Sequence, residues 1–147
     1  MEKYQVRLQR DEEWWNVERG IVDLRLWYMD KPTQSEGIKL DNGRARMNRV
    51  LRKRQCFFKV GIGHDLATRW ELYQVDNHWK PTHLFILMYV GSRESAGYVE
   101  SCFITEDLRR DSPANHNMNF KRCDRGGTGP RRPGQYYVYV AVSPATD

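Results

Sequence analysis

The most apolar segment of the chain, residues 83–90, constrains the fold more than any other feature of the sequence. Its residues read His-Leu-Phe-Ile-Leu-Met-Tyr-Val, and Gly91 ends the run. An unbroken apolar segment of this length, bounded by a glycine, is typical of a strand that is covered on both faces. The sequence therefore predicts a core strand over residues 83–90.

Other segments show the alternation of strands or the three-to-four-residue spacing of helices. Strands are predicted over residues 4–8, 21–28, 56–62 and 136–142. Helices are predicted over residues 44–54, 66–74 and 92–110, with a short acidic helix or turn over residues 11–19. Residues 30–43 and 111–134 are rich in Gly, Pro, Asn and Asp and are predicted to be loops. This order predicts an α/β or α+β fold in which helices flank a small, mainly antiparallel sheet.

Positive charge is clustered in two places along the chain, whose formal net charge is +5. One cluster lies in the predicted helix 44–54, whose apolar side carries Met47, Val50 and Leu51. Clustered arginine favours phosphate recognition because the guanidinium group matches phosphate oxygens, although two solvated basic faces would have the same composition. The residues predicted to contact nucleic acid are Arg44, Arg46, Arg49, Arg52, Lys53, Arg54, Arg122 and Arg125.

The three cysteines, Cys56, Cys102 and Cys123, lie far apart in the sequence. An odd number without close spacing argues against a disulfide framework and against a zinc site, so we expect free thiols in a reducing, intracellular compartment, cytoplasmic or nuclear. No apolar run approaches the roughly 18–20 residues that span a bilayer, so no membrane partner is expected. The length of 147 residues is typical of a single domain.

Residues 57–70 join a hydrophobic strand to a helix through a short turn. The segment reads Phe-Phe-Lys-Val-Gly-Ile-Gly-His-Asp-Leu-Ala-Thr-Arg-Trp, and Arg69 follows Lys59 by ten positions. Within the next predicted helix, the sequence Ala-Gly-Tyr-Val-Glu ends at Glu100. Asn119 and a Gly-Gly-Thr-Gly sequence then precede the last strand.

This ordered set resembles the GIY-YIG nuclease superfamily, in the phage-type branch with Lys-Val-Gly in place of Tyr-Ile-Gly. The resemblance covers about residues 20–142 and implies a metal-dependent endonuclease that hydrolyses phosphodiester bonds in DNA, in preference to RNA, with Mg²⁺ or Mn²⁺. It implies that Glu100 binds the metal and that Asn119 holds the site geometry. Carboxylate oxygens suit such hard cations, which keep several waters, and Arg69 would neutralise the phosphate. A homodimer would help so small a nuclease to cut both strands.

Water activation is assigned to Lys59 together with Tyr28 or Tyr73. Either group can take or relay a proton if nearby positive charge lowers its pKa. Each residue also has a structural interpretation. Arg69 can be a solvated charge, Glu100 a salt-bridge partner beside an apolar stripe, and Tyr73 a core residue.

The first family motif is incomplete, because residues 20–22 read Gly-Ile-Val where the family has Gly-Ile-Tyr. Tyr28 would then supply the tyrosine, and the long separation from Lys59 predicts a basic helical insertion at about residues 30–55. The missing tyrosine leaves open a catalytically impaired GIY-YIG-like module that binds nucleic acid. A protein-interaction domain is the third interpretation, with an interface supplied by Trp14, Trp15, Trp27 and Trp79.

Overall fold

The computed structural model describes residues 6–27, 33–75, 79–110, 115–117 and 135–145, without the side chains of Leu26, Arg93, Ala96, 104–110 and 115–117. Within these ranges the strands are β1 (Gly20–Asp23), β2 (Cys56–Gly63), β3 (His83–Val90), β4 (Asn115–Asn117) and β5 (Tyr136–Pro144). The α-helices are α1 (Glu36–Lys53), α2 (Leu66–Gln74) and α3 (Arg93–Arg110).

The strands form a mixed five-stranded sheet in the order β1-β3-β5-β2-β4. The two long ladders, β3 with β5 and β5 with β2, are antiparallel, while the short edge strands β1 and β4 pair in parallel with β3 and β2. The α+β class is therefore confirmed, with parallel pairing at both edges that the sequence did not indicate. Strands β3 and β5 separate β1 from β2.

The sheet is apolar on both faces, as the composition of β3 predicts. On the first face, Val138, Val140 and Val142 of β5 belong to one buried cluster with residues of α1 and α3. On the second face, Tyr139 and Ala141 belong to a separate cluster with residues of α2. The helices therefore cover opposite faces, with α1 and α3 on the first and α2 on the second.

Helix α1 begins well before the predicted residue 44. The Ser35 hydroxyl accepts a hydrogen bond from the Ile38 amide and caps the helix. Gly43 is buried, and a Cβ there would lie 3.0 Å from Cζ of Phe103, so the glycine lets α1 approach α3 closely. The predicted loop over residues 30–43 was thus wrong from Glu36 onward, because packing against α3 outweighs the loop propensity of Gly, Asp and Asn.

Most other predicted elements are confirmed within a few residues, namely β2, α2, β3, α3 and β5. Two strand predictions near the N-terminus were wrong. Residues 6–8 are not a strand. Strand β1 ends at Asp23, because the Asp23 carboxylate accepts a hydrogen bond from the Arg25 amide and starts a 3-10 turn over Leu24–Leu26. Residues 11–19 contain a 3-10 turn over Trp14–Asn16.

Trp14 fastens the N-terminal segment to the first face. It is completely buried, and its Nε1 donates a hydrogen bond of 3.1 Å to the Val50 carbonyl oxygen on α1. Its ring meets Phe85 and His83 edge-on. Among the described residues, no helix combines the length and the apolar character that crossing a membrane requires.

His83 should make the stability of the fold depend on pH. Burial lowers its pKa from the ordinary 6.5, and its Nε2 lies 3.1 Å from the Val17 carbonyl oxygen. As the pH falls through 6.5, the His83 imidazole binds a proton in the unfolded chain, while in the folded chain it does so only at lower pH. The free energy of unfolding should therefore fall. We expect the free energy of unfolding of His83→Gln, measured by urea denaturation, to change less between about pH 7.5 and about pH 5.5 than that of the wild-type protein. Equal slopes for the two proteins would contradict this assignment.

Candidate functional site

Two tyrosine hydroxyl groups meet on the second face of the sheet. The Tyr139 ring extends from β5 across Gly61 of β2, where a methyl group would overlap the hydroxyl and lie 2.6 Å from Cζ. The Tyr139 and Tyr73 hydroxyl oxygens are 2.8 Å apart and hydrogen-bonded. Both side chains are buried. Gly61 therefore provides the space in which Tyr139 reaches Tyr73.

Two of the predicted site residues lie beside this tyrosine pair. Lys59 is half-buried two positions before Gly61 on β2, and its Nζ is 5.9 Å from the centre of the Tyr73 ring. Arg69 lies one turn before Tyr73 on α2 and is exposed. Its charge acts on the Tyr139 hydroxyl. Lys59 and Arg69 therefore both lie near the Tyr73–Tyr139 pair.

Burial raises the pKa of Tyr139 well above its ordinary value. Tyr73 and the negative charge of Glu100 raise it further, while Arg69 opposes them. The hydroxyl is therefore protonated and serves as a hydrogen-bonding group, and a tyrosinate base at this position is not supported.

Glu100 is only 6% exposed on α3, next to the buried Val99. As a donor it suits a hard cation, because Mg²⁺ commonly takes one or two carboxylates with waters and substrate phosphates. The described residues contain no group of three His, Cys, Asp or Glu side chains that could hold a metal. A metal here would thus depend on Glu100 and on water that reaches a buried carboxylate.

Four predicted contact or site residues lie outside the described part of the chain. They are Tyr28, Asn119, Arg122 and Arg125.

Arg46 was wrongly predicted to contact nucleic acid. It is completely buried, and its guanidinium donates a hydrogen bond of 2.6 Å to the Leu87 carbonyl oxygen on β3. Arg46 follows the buried Gly43 by three positions and precedes the buried Val50 by four, so it lies on the buried side of α1. Arg46 therefore joins α1 to the sheet.

The other predicted contact residues on α1 and at its C-cap form what we call the α1 basic surface, which comprises Arg44, Arg49, Arg52, Lys53 and Arg54. Some of its charge is engaged within the protein. The Lys53 ammonium donates hydrogen bonds of 2.9 and 2.7 Å to the Arg10 and Glu12 carbonyl oxygens, and burial, followed by the charge of Arg49, lowers its pKa. Arg44 and Arg49 form ion pairs of 3.4 Å with the exposed Asp41 and Asp11, and such surface pairs are weak.

Two tryptophan rings underlie the α1 basic surface. The guanidinium of Arg49 lies 5.7 Å from the centre of the Trp27 ring, and that of Arg54 lies 5.1 Å from the Trp15 ring. These contacts hold the arginines against apolar surface while leaving part of each in solvent. A cavity of about 420 Å³ beside α1 is lined by Ala45, Asn48, Arg49, Arg52 and Lys53.

Nothing in its local sequence distinguishes Tyr139 as a site residue, because it alternates regularly within the last strand. The available signal was Gly61, since a glycine inside an apolar strand often marks the close approach of another group.

Comparisons with protein-family models, curated proteins and solved structures found no match to this chain. The resemblance to GIY-YIG nucleases therefore rests on the motif residues themselves.

Gly61→Ala should destabilise the protein by about 1–3 kcal/mol, because the added methyl group overlaps Tyr139. Gly91→Ala is the matched control, since a Cβ there has no neighbour within 4 Å, and it should change stability by no more than about 0.5 kcal/mol. Free energies of unfolding from urea titrations test the pair. Equal stabilities would show that Tyr139 is not confined by Gly61.

Replacing Arg49, Arg52 and Arg54 together with Ala should flatten the dependence of DNA affinity on salt. Each lost phosphate contact lowers the slope of log affinity against log salt by about 0.9 for duplex DNA. The exposed Lys80 outside the α1 basic surface provides the control Lys80→Ala. Fluorescence anisotropy at several salt concentrations gives the slopes, and an unchanged slope for the triple variant would exclude this surface as a contact.

Proposed function

We propose that this chain is a divalent-metal-dependent endonuclease, with DNA as the expected substrate. The observation that carries the proposal is the position of Lys59 beside the hydrogen-bonded Tyr73–Tyr139 pair, with Arg69 one turn before Tyr73 on α2. Lys59 and Arg69 come from two separate elements, β2 and α2, while Glu100 lies on α3, which covers the opposite face of the sheet. Convergence of separate motif residues is what a site requires and what scattered surface charges do not provide.

Arg69 is the phosphate-binding group in this proposal. Its exposed guanidinium can donate two hydrogen bonds to phosphate oxygens and neutralise the charge that develops during cleavage. Tyr73 lies one turn further along α2 and is held by Tyr139. The buried pair would therefore orient the end of α2 that presents Arg69.

Lys59 is assigned the proton transfer from the attacking water, a role that requires its neutral amine, because the buried Tyr139 hydroxyl keeps its proton. Its Nζ atom lies 5.9 Å from the centre of the Tyr73 ring, and the side chain is half-buried. Glu100 would hold Mg²⁺ or Mn²⁺, which when bound supplies positive charge that polarises the phosphate. A homodimer that brings two sites to opposite strands belongs to the same proposal.

A second candidate is a nucleic-acid-binding module without catalysis. The 6% exposure of Glu100 and the raised pKa of Tyr139 favour it, because both limit access to reactive groups. The α1 basic surface would bind the phosphate backbone in either case. Such contacts position a protein on nucleic acid without reading its sequence.

Cleavage of supercoiled plasmid with Mg²⁺ or Mn²⁺ separates the two candidates. We expect the wild-type protein to nick the plasmid and Glu100→Gln to lose activity by about 100-fold or more, comparable to removing a charge-stabilising group in other enzymes. Glu71→Gln, an exposed residue of α2, is the matched control and should retain activity.

Thermal melting establishes that Glu100→Gln is folded. Equal cleavage by wild type and Glu100→Gln would reject Glu100 as the metal ligand. Binding of plasmid without cleavage by the wild-type protein would reject the endonuclease and support the binding module.

A further inference from the structure

Two partly exposed tyrosines, packed edge to face, and an arginine lie together on the second face. Tyr89 of β3 and Tyr137 of β5 are paired in register, and their ring centres are 5.8 Å apart. The Arg25 guanidinium carbon lies 5.1 Å from the centre of the Tyr137 ring. We call Arg25, Tyr89 and Tyr137 the stacking platform. Neither the tyrosine pair of the site nor the α1 basic surface includes these residues.

Asp23 fixes the Arg25 side chain. Its two carboxylate oxygens accept hydrogen bonds of 2.7 to 3.2 Å from Nε and Nη2 of Arg25. The carboxylate also accepts a hydrogen bond from the backbone amide of Arg25. The carboxylate neutralises the guanidinium and occupies one of its donor edges. Arg25 is therefore poorly suited to bind phosphate, but its plane is held in place, and 32% of the side chain remains exposed.

Flat groups arranged in this way suit an unpaired nucleobase. Nucleobases stack on aromatic rings and on guanidinium planes, and a base within a duplex has both faces covered by its neighbours. The half-buried tyrosines and the fixed arginine lose little conformational freedom on binding.

The platform lies next to the proposed phosphate-binding group. Tyr137 and Tyr139 are alternate residues on the same face of β5, so they are roughly 6–7 Å apart along the strand. Arg69 acts electrostatically on Tyr139. Lys59 pairs with Ala141, four residues along β5 from Tyr137, so a neighbouring phosphate of the bound strand, rather than that of the stacked base, would lie toward Lys59 and Arg69.

We propose that the stacking platform binds an unpaired base, so that the site takes single-stranded or locally unpaired nucleic acid in preference to intact duplex. This inference rests on the proposed function, because it names the form of substrate that the same site accepts.

The test measures binding of the full-length protein to a labelled oligothymidylate and to a duplex of equal length, in EDTA, by fluorescence anisotropy. We expect tighter binding of the single strand. Tyr137→Leu should weaken single-strand binding by about 5-fold to about 100-fold, the usual range for losing one base–aromatic stack. Tyr137→Phe keeps the ring and should bind like wild type.

Equal binding of the oligothymidylate by wild type and folded Tyr137→Leu would overturn the inference. If circular dichroism shows that Tyr137→Leu is unfolded, Arg25→Lys provides the test, because it keeps the charge and removes the plane. Arg25→Lys that binds like wild type would overturn the inference, and weaker binding would support it. If the protein still binds duplex DNA and cleaves plasmid, the proposed function stands whichever of these results is found. If the wild-type protein binds no nucleic acid, both this inference and the proposed function fail.

Discussion

The insertion of β5 between β2 and β3 is the interaction on which the rest of the structure depends. This last strand is antiparallel to both neighbours and joins the two longest apolar segments of the chain into one sheet. Its alternating residues place Val138, Val140 and Val142 on the first face and Tyr137 and Tyr139 on the second. Because the strand comes from the end of the sequence, the sheet requires contacts between distant parts of the chain, and such contacts carry a cost in chain entropy.

The two faces of the sheet have different chemistry as a consequence. On the first face, α1 is attached by Trp14 and by the buried Arg46, which bonds the backbone of β3. On the second face, tyrosine hydroxyl groups and cations lie beside the single helix α2. The first face therefore carries the buried contacts of α1 and presents the α1 basic surface outward, while the second carries the Tyr73–Tyr139 pair with Lys59 beside it.

Some elements of the fold could be predicted from the sequence and others could not, for identifiable physical reasons. Strands β2 and β3 and helix α2 were predictable because apolar runs, a glycine and the Asp65 cap all agree locally. The first half of α1 was not, since its glycines and asparagine favour a loop in isolation and only contact with α3 favours the helix. Arg46 was misassigned because an arginine within a basic cluster has the same appearance in sequence whether it faces solvent or a buried carbonyl group.

By itself, the sequence determined the α+β class, the central strands, and the motif Lys59, Arg69 and Glu100, because local periodicity and residue spacing carry that information. Only the tertiary structure decided that β5 would lie in the centre, that Tyr139 would cross Gly61 to reach Tyr73, and that Glu100 would be buried. These features depend on which segments meet in space. That outcome is set by the packing of the whole chain, and no local pattern encodes it.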